Sequence, residues 1–263
     1  MRTYLCGLIS LACVLQTRPA SADEPEDTGG AAQSRPSSTA GSVPSGGEAV
    51  ELFNGRDLAG WTPVNVPEDT FFVRDEMIVT TGKPTGLLRT DRMYENFIIE
   101  FDWRHMEPGG NSGLFIWADA TPAKDSPFSR GIEIQILDPG YDRPGKNEWF
   151  TTHGDIFPVN GAQLTLAGRI SPNGQRSFPA EERTKPSPQW NHYRVVADDG
   201  DISLSVNSKE VTIATDAKPR KGYLMLEAEG SEAQFKNFEF TELPSTDPAA
   251  DEVAEPPVES AAK

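Results

Sequence analysis

The sequence predicts an all-β protein, an antiparallel β-sandwich or jelly roll, and three observations predict it. Short runs rich in Ile, Val, Phe, Tyr and Trp recur through the middle of the chain. Clusters of Gly, Pro, Asn and Asp punctuate them, and no stretch sustains a helical period. Many short strands spread over residues 49–243 fit two packed sheets better than any layered arrangement with helices.

The chain opens with "MRTYLCGLISLACVLQTRPASA", where Arg2 precedes an apolar run from Tyr4 to Leu15 and a small-x-small site at Ala20-Ser21-Ala22. Residues 1–22 therefore read as a secretory signal peptide cut after Ala22, too short to span a membrane. Export would end in the periplasm, at the cell envelope or outside the cell. The only two cysteines, Cys6 and Cys13, fall inside it, so the exported chain would hold no disulfide, thiol nucleophile or thiolate metal site. Residues 23–48 are rich in Gly, Ser and Pro and read as a disordered linker. Residues 244–263 are acidic and rich in Pro and Ala, and read as a disordered tail of the same kind.

Within 49–243 the strand runs are "GLLRT", "NFIIEFDWRH", "SGLFIWAD", "GIEIQILD", "NHYRVVADD", "DISLSVNSKEV", "GYLMLEAEG" and "AQFKNFEFTEL". "PGGNSG" (Pro108 to Gly113) reads as a tight hairpin turn whose glycines supply positive φ. From Pro139 to Pro188 the rhythm breaks. A long insertion in a compact β domain is a functional or a disordered loop, and Trp149, Phe150, Phe157 and Phe178 argue for one packed over a sheet face.

The net charge of −16 divides into +2 for residues 1–22, −4 for each of 23–48 and 244–263, and −10 for the domain. An acidic domain without a basic stripe argues against nucleic acid and anionic membrane as partners. Neutral and cationic ligands stay open. No spacing supports a transition metal, and no cofactor is called for. Asp138, Asp142 and Asp155 form a weak calcium candidate with backbone carbonyls.

In "RGIEIQILDPGYD", Ile132, Ile134 and Ile136 alternate with Glu133 and Gln135, so the isoleucines share one face and the carboxylate and amide share the other. That second face either meets plain water or lines a groove for something polar. Two-carboxylate glycoside hydrolysis through Glu133 and Asp138 fits poorly. The five steps between them span roughly 16 Å of strand, against about 5–9.5 Å between catalytic carboxyls.

"ELFNGRDLAGW", "NFIIEFDWRHMEPGGNSGLFIW", "GIEIQILD", "WNHYRVV" and "AQFKNFEFTEL" occur in that order. Together they resemble the bacterial 3-keto-disaccharide hydrolase domain family over about Val50 to Leu243. The resemblance implies a fold like the concanavalin A-like lectins and glucanases, with a sugar on the concave face. It also implies cleavage of disaccharides or glycosides already oxidised to a ketone at C3. This chain departs from many members by reading "MLEAEG", which puts Glu227 and Glu229 in place of an amide and an imidazole.

A 3-keto sugar has an acidified C2 hydrogen, so one base and one group stabilising the enolate suffice to expel the C1 substituent, with water adding afterwards. Glu133 is the candidate base. Gln135 would orient the sugar, and His153 or Arg176 would steady the oxyanion or protonate the leaving group. Asn111, Lys185 and Glu227 are candidate sugar contacts. Trp117, with Trp103 and Trp149, is a candidate stacking platform. His105 could border the groove, and His192 reads as an outward strand residue. The competing functions are a lectin-like carbohydrate-binding module without turnover and an envelope interaction protein whose groove holds no sugar.

Overall fold

The period-2 runs become strands that divide between two antiparallel sheets in the computed structural model, which describes residues 47, 49–141 and 153–257. In chain order they are β1 (Val50–Glu51), β2 (Trp61–Val64), β3 (Phe71–Arg74), β4 (Met77–Thr80), β5 (Gly86–Thr90), β6 (Phe97–His105), β7 (Asn111–Ala118) and β8 (Gly131–Leu137). There follow β9 (Ile156–Val159), β10 (Gln163–Leu166), β11 (Arg169–Ile170), β12 (Ser177–Phe178), β13 (Asn191–Asp198), β14 (Asp201–Val206), β15 (Lys209–Lys218), β16 (Tyr223–Ala228) and β17 (Ala233–Glu242). The nine-stranded sheet runs β10-β15-β14-β13-β6-β17-β4-β3, with β1 also on β17. The eight-stranded sheet runs β11-β12-β9-β8-β7-β16-β5-β2. The expected signal peptide and all of the linker but Gly47 lie outside the described residues, as do Asp142, Trp149 and Phe150.

The two sheets bury differently. In β13, and in β6 from Ile99 onward, burial alternates residue by residue, so the nine-stranded sheet keeps one face in the core and one toward water there. In β8 and β16 every residue is buried, and in β7 all but Asn111. The eight-stranded sheet is therefore covered on both faces where these three strands meet. Its inner face supplies Leu114, Ile132, Ile134, Ile136, Leu224 and Leu226 to the central core, opposite Phe97, Ile99, Phe101, Tyr193, Val195 and Phe240. Phe101 stacks on Phe238 at 5.4 Å within this layer. Each such side chain contributes about 1.5–3 kcal/mol when fully buried.

Several expectations change. "PGGNSG" is not a hairpin turn, because β6 lies in one sheet and β7 in the other; residues 106–110 cross between them, with Gly109 at φ 79°. The run "DISLSVNSKEV" is itself a hairpin, in which Asn207 and Ser208 take φ 49° and 71° between β14 and β15. The 139–188 insertion is not a bare loop: it builds β9, β11 and β12 onto one sheet and β10 onto the edge of the other. The tail is not free from residue 244. Thr246 N–H and Ser245 Oγ–H donate to Glu95 at 2.6 Å each, and Glu255 N–H donates to Asp119 at 2.7 Å. Residues 244–257 thus run back along the domain.

Candidate active site

The outer face of the eight-stranded sheet reads in two rows set by the register. One row crosses β8, β7 and β16 through Gln135, Gly113 and Glu227, and ends on Leu87 of β5. The next crosses β9, β8, β7, β16 and β5 through Phe157, Glu133, Phe115, Met225 and Arg89. Glu133 is thus a carboxylate whose two cross-strand neighbours are phenylalanines. Beyond it, Phe115, Met225, Tyr223, Leu87 and Val64 form a second apolar cluster that covers this half of the face. The face that carries Glu133 and Gln135 is not a water face: the two are only 6% and 4% exposed.

Gly113 lets the carboxylates meet. A Cβ placed there would lie 2.8 Å from Glu133 Oε1 and 3.0 Å from Glu227 Oε2. Both oxygens occupy the room a side chain would fill, so they stand less than about 6 Å apart, inside the wider spacing that inverting glycosidases need. Glu229, two residues beyond Glu227, joins the same face.

A hydrogen-bond chain runs along the polar row. Arg176 Nη1–H donates to Gln135 Oε1 at 3.0 Å. Gln135 Nε2–H donates to Asn111 Oδ1 at 2.8 Å, and Asn111 Nδ2–H donates to Glu229 Oε2 at 2.6 Å. Arg176 is also paired with the fully buried Asp155 at 3.6 Å, and its guanidinium lies 3.5 Å from the centre of the Phe157 ring. From the opposite sheet, Tyr193 O–H reaches across the core to donate to the Gln135 carbonyl at 2.9 Å, fixing β8 in place.

Crowded, dry carboxyls resist ionisation. Burial pushes Glu133 up to about 8; Arg176 opposes the rise, while Glu229 and Asp155 add to it. Burial, then the charges of Glu133 and Glu229, hold Glu227 well above the usual range. Burial also raises Glu229, against the pull of its bond to Glu227 and of Arg176. The arrangement favours the protonated form of Glu227 beside Glu133, whose carboxyl is pushed up to about 8. Burial lowers Arg176 from its ordinary value although Glu133 and Asp155 favour its charge.

The structure brings together Glu133, Gln135, Asn111, Arg176 and Glu227. It does not bring His153 to them. That ring is fully buried with Nε2 3.0 Å from the Glu181 carbonyl, and the charges it feels are Glu182 and Arg169. His153 ties the 181–183 loop to the sheet. Trp117 is no stacking platform: a bulge at φ 51° breaks the alternation and turns the indole inward, where Nε1–H donates to the Glu95 carbonyl at 2.6 Å and the ring meets Phe97 edge-on. Trp103 is core as well. Lys185 is exposed on a loop whose backbone, not its side chain, is held by Asn191. His105 is buried under the face with Nε2 on the Ile136 carbonyl, and His192 faces outward between Glu100 and Asp102 on the other sheet.

Of the three aspartates of the calcium candidate, Asp142 lies outside the described residues and Asp155 pairs with Arg176. Asp138 Oδ1 accepts from the N–H groups of Gly109 and Gly140, and Oδ2 from that of Ser187, so it staples three loops. Among the described residues no group of three or more His, Cys, Asp or Glu is arranged to hold a metal ion. Glu229, Asp155 and Gly113 belong to the site although sequence reasoning gave none of them a role in handling the sugar. The alternation in "LEAE" puts Glu229 on the face of Glu227 and was the legible signal for it.

Crystal structures resemble this architecture. Two proteins from Parabacteroides distasonis ATCC 8503, each assigned as a glycosyl hydrolase, are 23% and 20% identical with TM-scores of 0.59 and 0.54. The first alignment covers 74% of this chain and 94% of that one, the second 75% and 100%. The carbohydrate-binding module CBM66 from Bacillus subtilis is 17% identical with a TM-score of 0.50, covering 70% of this chain and 96% of its own. At such identities the likeness is one of fold. No curated protein matches the chain. Residues 48–241, nearly the whole two-sheet domain with both carboxylate-bearing strands, match the model of one family, and the chain belongs to it: the 3-keto-alpha-glucoside-1,2-lyase-like domain family.

Proposed function

We propose that the protein cleaves glycosides oxidised to a ketone at C3 by eliminating the C1 substituent. The observation that carries this reading is the pair of buried carboxyls that meet at Gly113, both raised above the usual carboxylate range by burial and by neighbouring carboxyls. Glu133 as carboxylate removes the C2 proton, whose acidity the neighbouring ketone raises. The electron pair passes to the ketone oxygen as an enolate. Arg176 and Gln135 stand at the polar end of the row to receive that charge. The enolate collapses to a C1–C2 double bond, the C1–O bond breaks, and Glu227 gives its proton to the departing oxygen. Addition of water across the double bond completes a net hydrolysis. The family and the fold of its structural neighbours support a carbohydrate as ligand. The amino-terminal segment supports export to the periplasm, envelope or medium.

A second reading rests on the same two carboxyls. Two carboxyls this close leave no room for the wider spacing of an inverting pair, which would make a glycosidase acting on ordinary sugars a retaining one, with Glu133 as nucleophile and Glu227 as acid. One experiment separates the readings: incubation with a panel of 3-keto glucosides and their unoxidised parents, with chromatography of the released aglycone. Release from the keto forms alone is the expected result. Release from the unoxidised parents favours the retaining pair, and binding without release from either makes the protein a lectin-like module.

A further inference from the structure

At the Arg176 end of the site the sandwich opens at a corner. β9 belongs to the eight-stranded sheet and β10 to the nine-stranded one. The turn between them, closed by Ala162 N–H on the Val159 carbonyl at 3.1 Å, carries the chain from one sheet to the other. β12 meets β9 through Ser177 and Ile156, and Phe157 to Val159 run on past the end of that pairing. A cavity of about 670 Å³ lies there, with Phe157, Val159, Leu164, Leu166, Gln175 and Arg176 in its wall. That volume falls within the roughly 300–1,000 Å³ of small-molecule pockets, whose usual make-up is apolar walls with a few converging polar groups. Val159, Leu164 and Leu166 are half-buried, so the wall keeps apolar surface uncovered. The cavity shares two residues with the carboxylate site. Phe157 is the cross-strand neighbour of Glu133, and Arg176 lies over the Phe157 ring while it donates to Gln135.

We propose that this cavity binds an apolar acyl group carried on O4 of the keto sugar, so that the substrate is an acylated glycoside. The inference rests on the elimination reading above and narrows it to a substrate class. That reading sets C3 of the sugar at Arg176 and Gln135 and C1 at Glu227. C4 follows C3 and stands across the ring from C1, so O4 projects from the Arg176 end, on the side of the cavity. A second sugar on O4 would press hydroxyls against leucine and valine side chains and lose their hydrogen bonds to water. An acyl group instead buries its hydrocarbon part on those walls. Its carbonyl oxygen is an acceptor, which suits the donors of Arg176 and Gln175.

The test is steady-state kinetics of the purified protein on phenyl 3-keto-glucoside, its 4-O-benzoyl ester and its 4-O-glucosyl analogue, with chromatography of the released phenol. The benzoyl ester should exceed the plain glucoside roughly tenfold in kcat/KM, the low end for burying an aromatic ring. The glucosyl analogue should show no gain. Leu166 stands on β10, in the sheet opposite the carboxylates. Leu166→Asp, which puts a charge in the cavity wall, should remove the benzoyl gain and leave turnover of the plain glucoside unchanged, which also shows that the variant folds. Leu166→Ala, a milder change, should reduce the gain. A benzoyl ester cleaved no faster than the plain glucoside overturns the inference and leaves the elimination reading standing. A gain that survives both substitutions overturns it too, as does a larger gain with the glucosyl analogue. If none of the three is cleaved, the elimination reading fails and the inference falls with it.

Discussion

Glu133 shows how a single residue acquires chemistry from its neighbours. The side chain is an ordinary carboxyl; Phe115 and Phe157 on either side remove its water, and Glu229 and Asp155 add like charge. Its pKa of about 8 lies above the ordinary carboxylate value, so the folded state binds a proton that the unfolded chain has released. The native state is therefore favoured below about pH 4.5, and that advantage is lost as pH rises through about 8. Glu133→Gln, which keeps the shape without the charge, should raise Tm at pH 8 relative to the parent, and the gain should shrink at pH 5. Thermal melts at the two pH values check this, and a gain of equal size at both would contradict it. The same substitution should cost about 10²–10⁴ in turnover of a 3-keto glucoside, the range for a lost general base. The parent's activity should climb with pH up to about 8, as Glu133 ionises.

At the scale of the element, β7 decides what β8 and β16 can do. It runs between them and contributes, at the one position flanked by both carboxylates, a residue with no side chain. Gly113→Ala would put a methyl group 2.8 Å and 3.0 Å from the two carboxyl oxygens. These oxygens are side-chain ends, but Glu133 Cγ also lies 3.1 Å away, so the Glu133 side chain must shift as a whole; none of the three nearest atoms is backbone, and the fold should survive with Tm within a few degrees. Turnover should not survive: a displaced base loses its alignment, and a fall of about 10²-fold in kcat/KM is the expected outcome. Steady-state kinetics beside a melt distinguishes this from unfolding. The bulge at Trp117 makes the complementary point. A two-residue period carried through β7 would set Trp117 beside Gly113 and Phe115 on the site face; one irregular residue sends it into the core instead.

At the scale of the molecule, the last described segment acts as a strap. Glu95 is only 5% exposed, and its carboxylate takes hydrogen bonds from Ser245 and Thr246, with Lys221 at 3.5 Å. Arg220 is paired with Glu252 close by, and Ala254 N–H donates to the Lys221 carbonyl. Truncation after Leu243 removes these donors and leaves a buried charge with the lysine alone. The expected loss is on the order of 3 kcal/mol, or about 6–12 °C in Tm for a domain of this size. An unchanged melt would show that the strap is decorative. Glu95 lies away from the carboxylates of the site, so activity at low temperature should persist in the truncated chain.

Alternation and turn chemistry are local, so the fold class, the long central strands and their faces were legible in the sequence, whereas β2, β3, β4, the short strands of the 139–188 insertion and the β14–β15 turn were not. Ile132, Ile134 and Ile136 could only share one side of β8, and Glu133 and Gln135 only the other. Side-chain chemistry and family likeness also marked Glu133, Gln135, Asn111, Arg176 and Glu227 as candidates. What the sequence could not decide was which of these meet. That depends on register between strands far apart in the chain: β16 joins β7 across more than a hundred residues, and only this pairing sets Glu227 beside Glu133 over Gly113. Tertiary structure alone also withdrew His153, Lys185 and Trp117 from the site and tied the tail to the body. Hydrogen bonds between distant loops and a one-residue bulge leave no periodic trace in sequence, whereas the hydrophobic alternation that builds the sheets does.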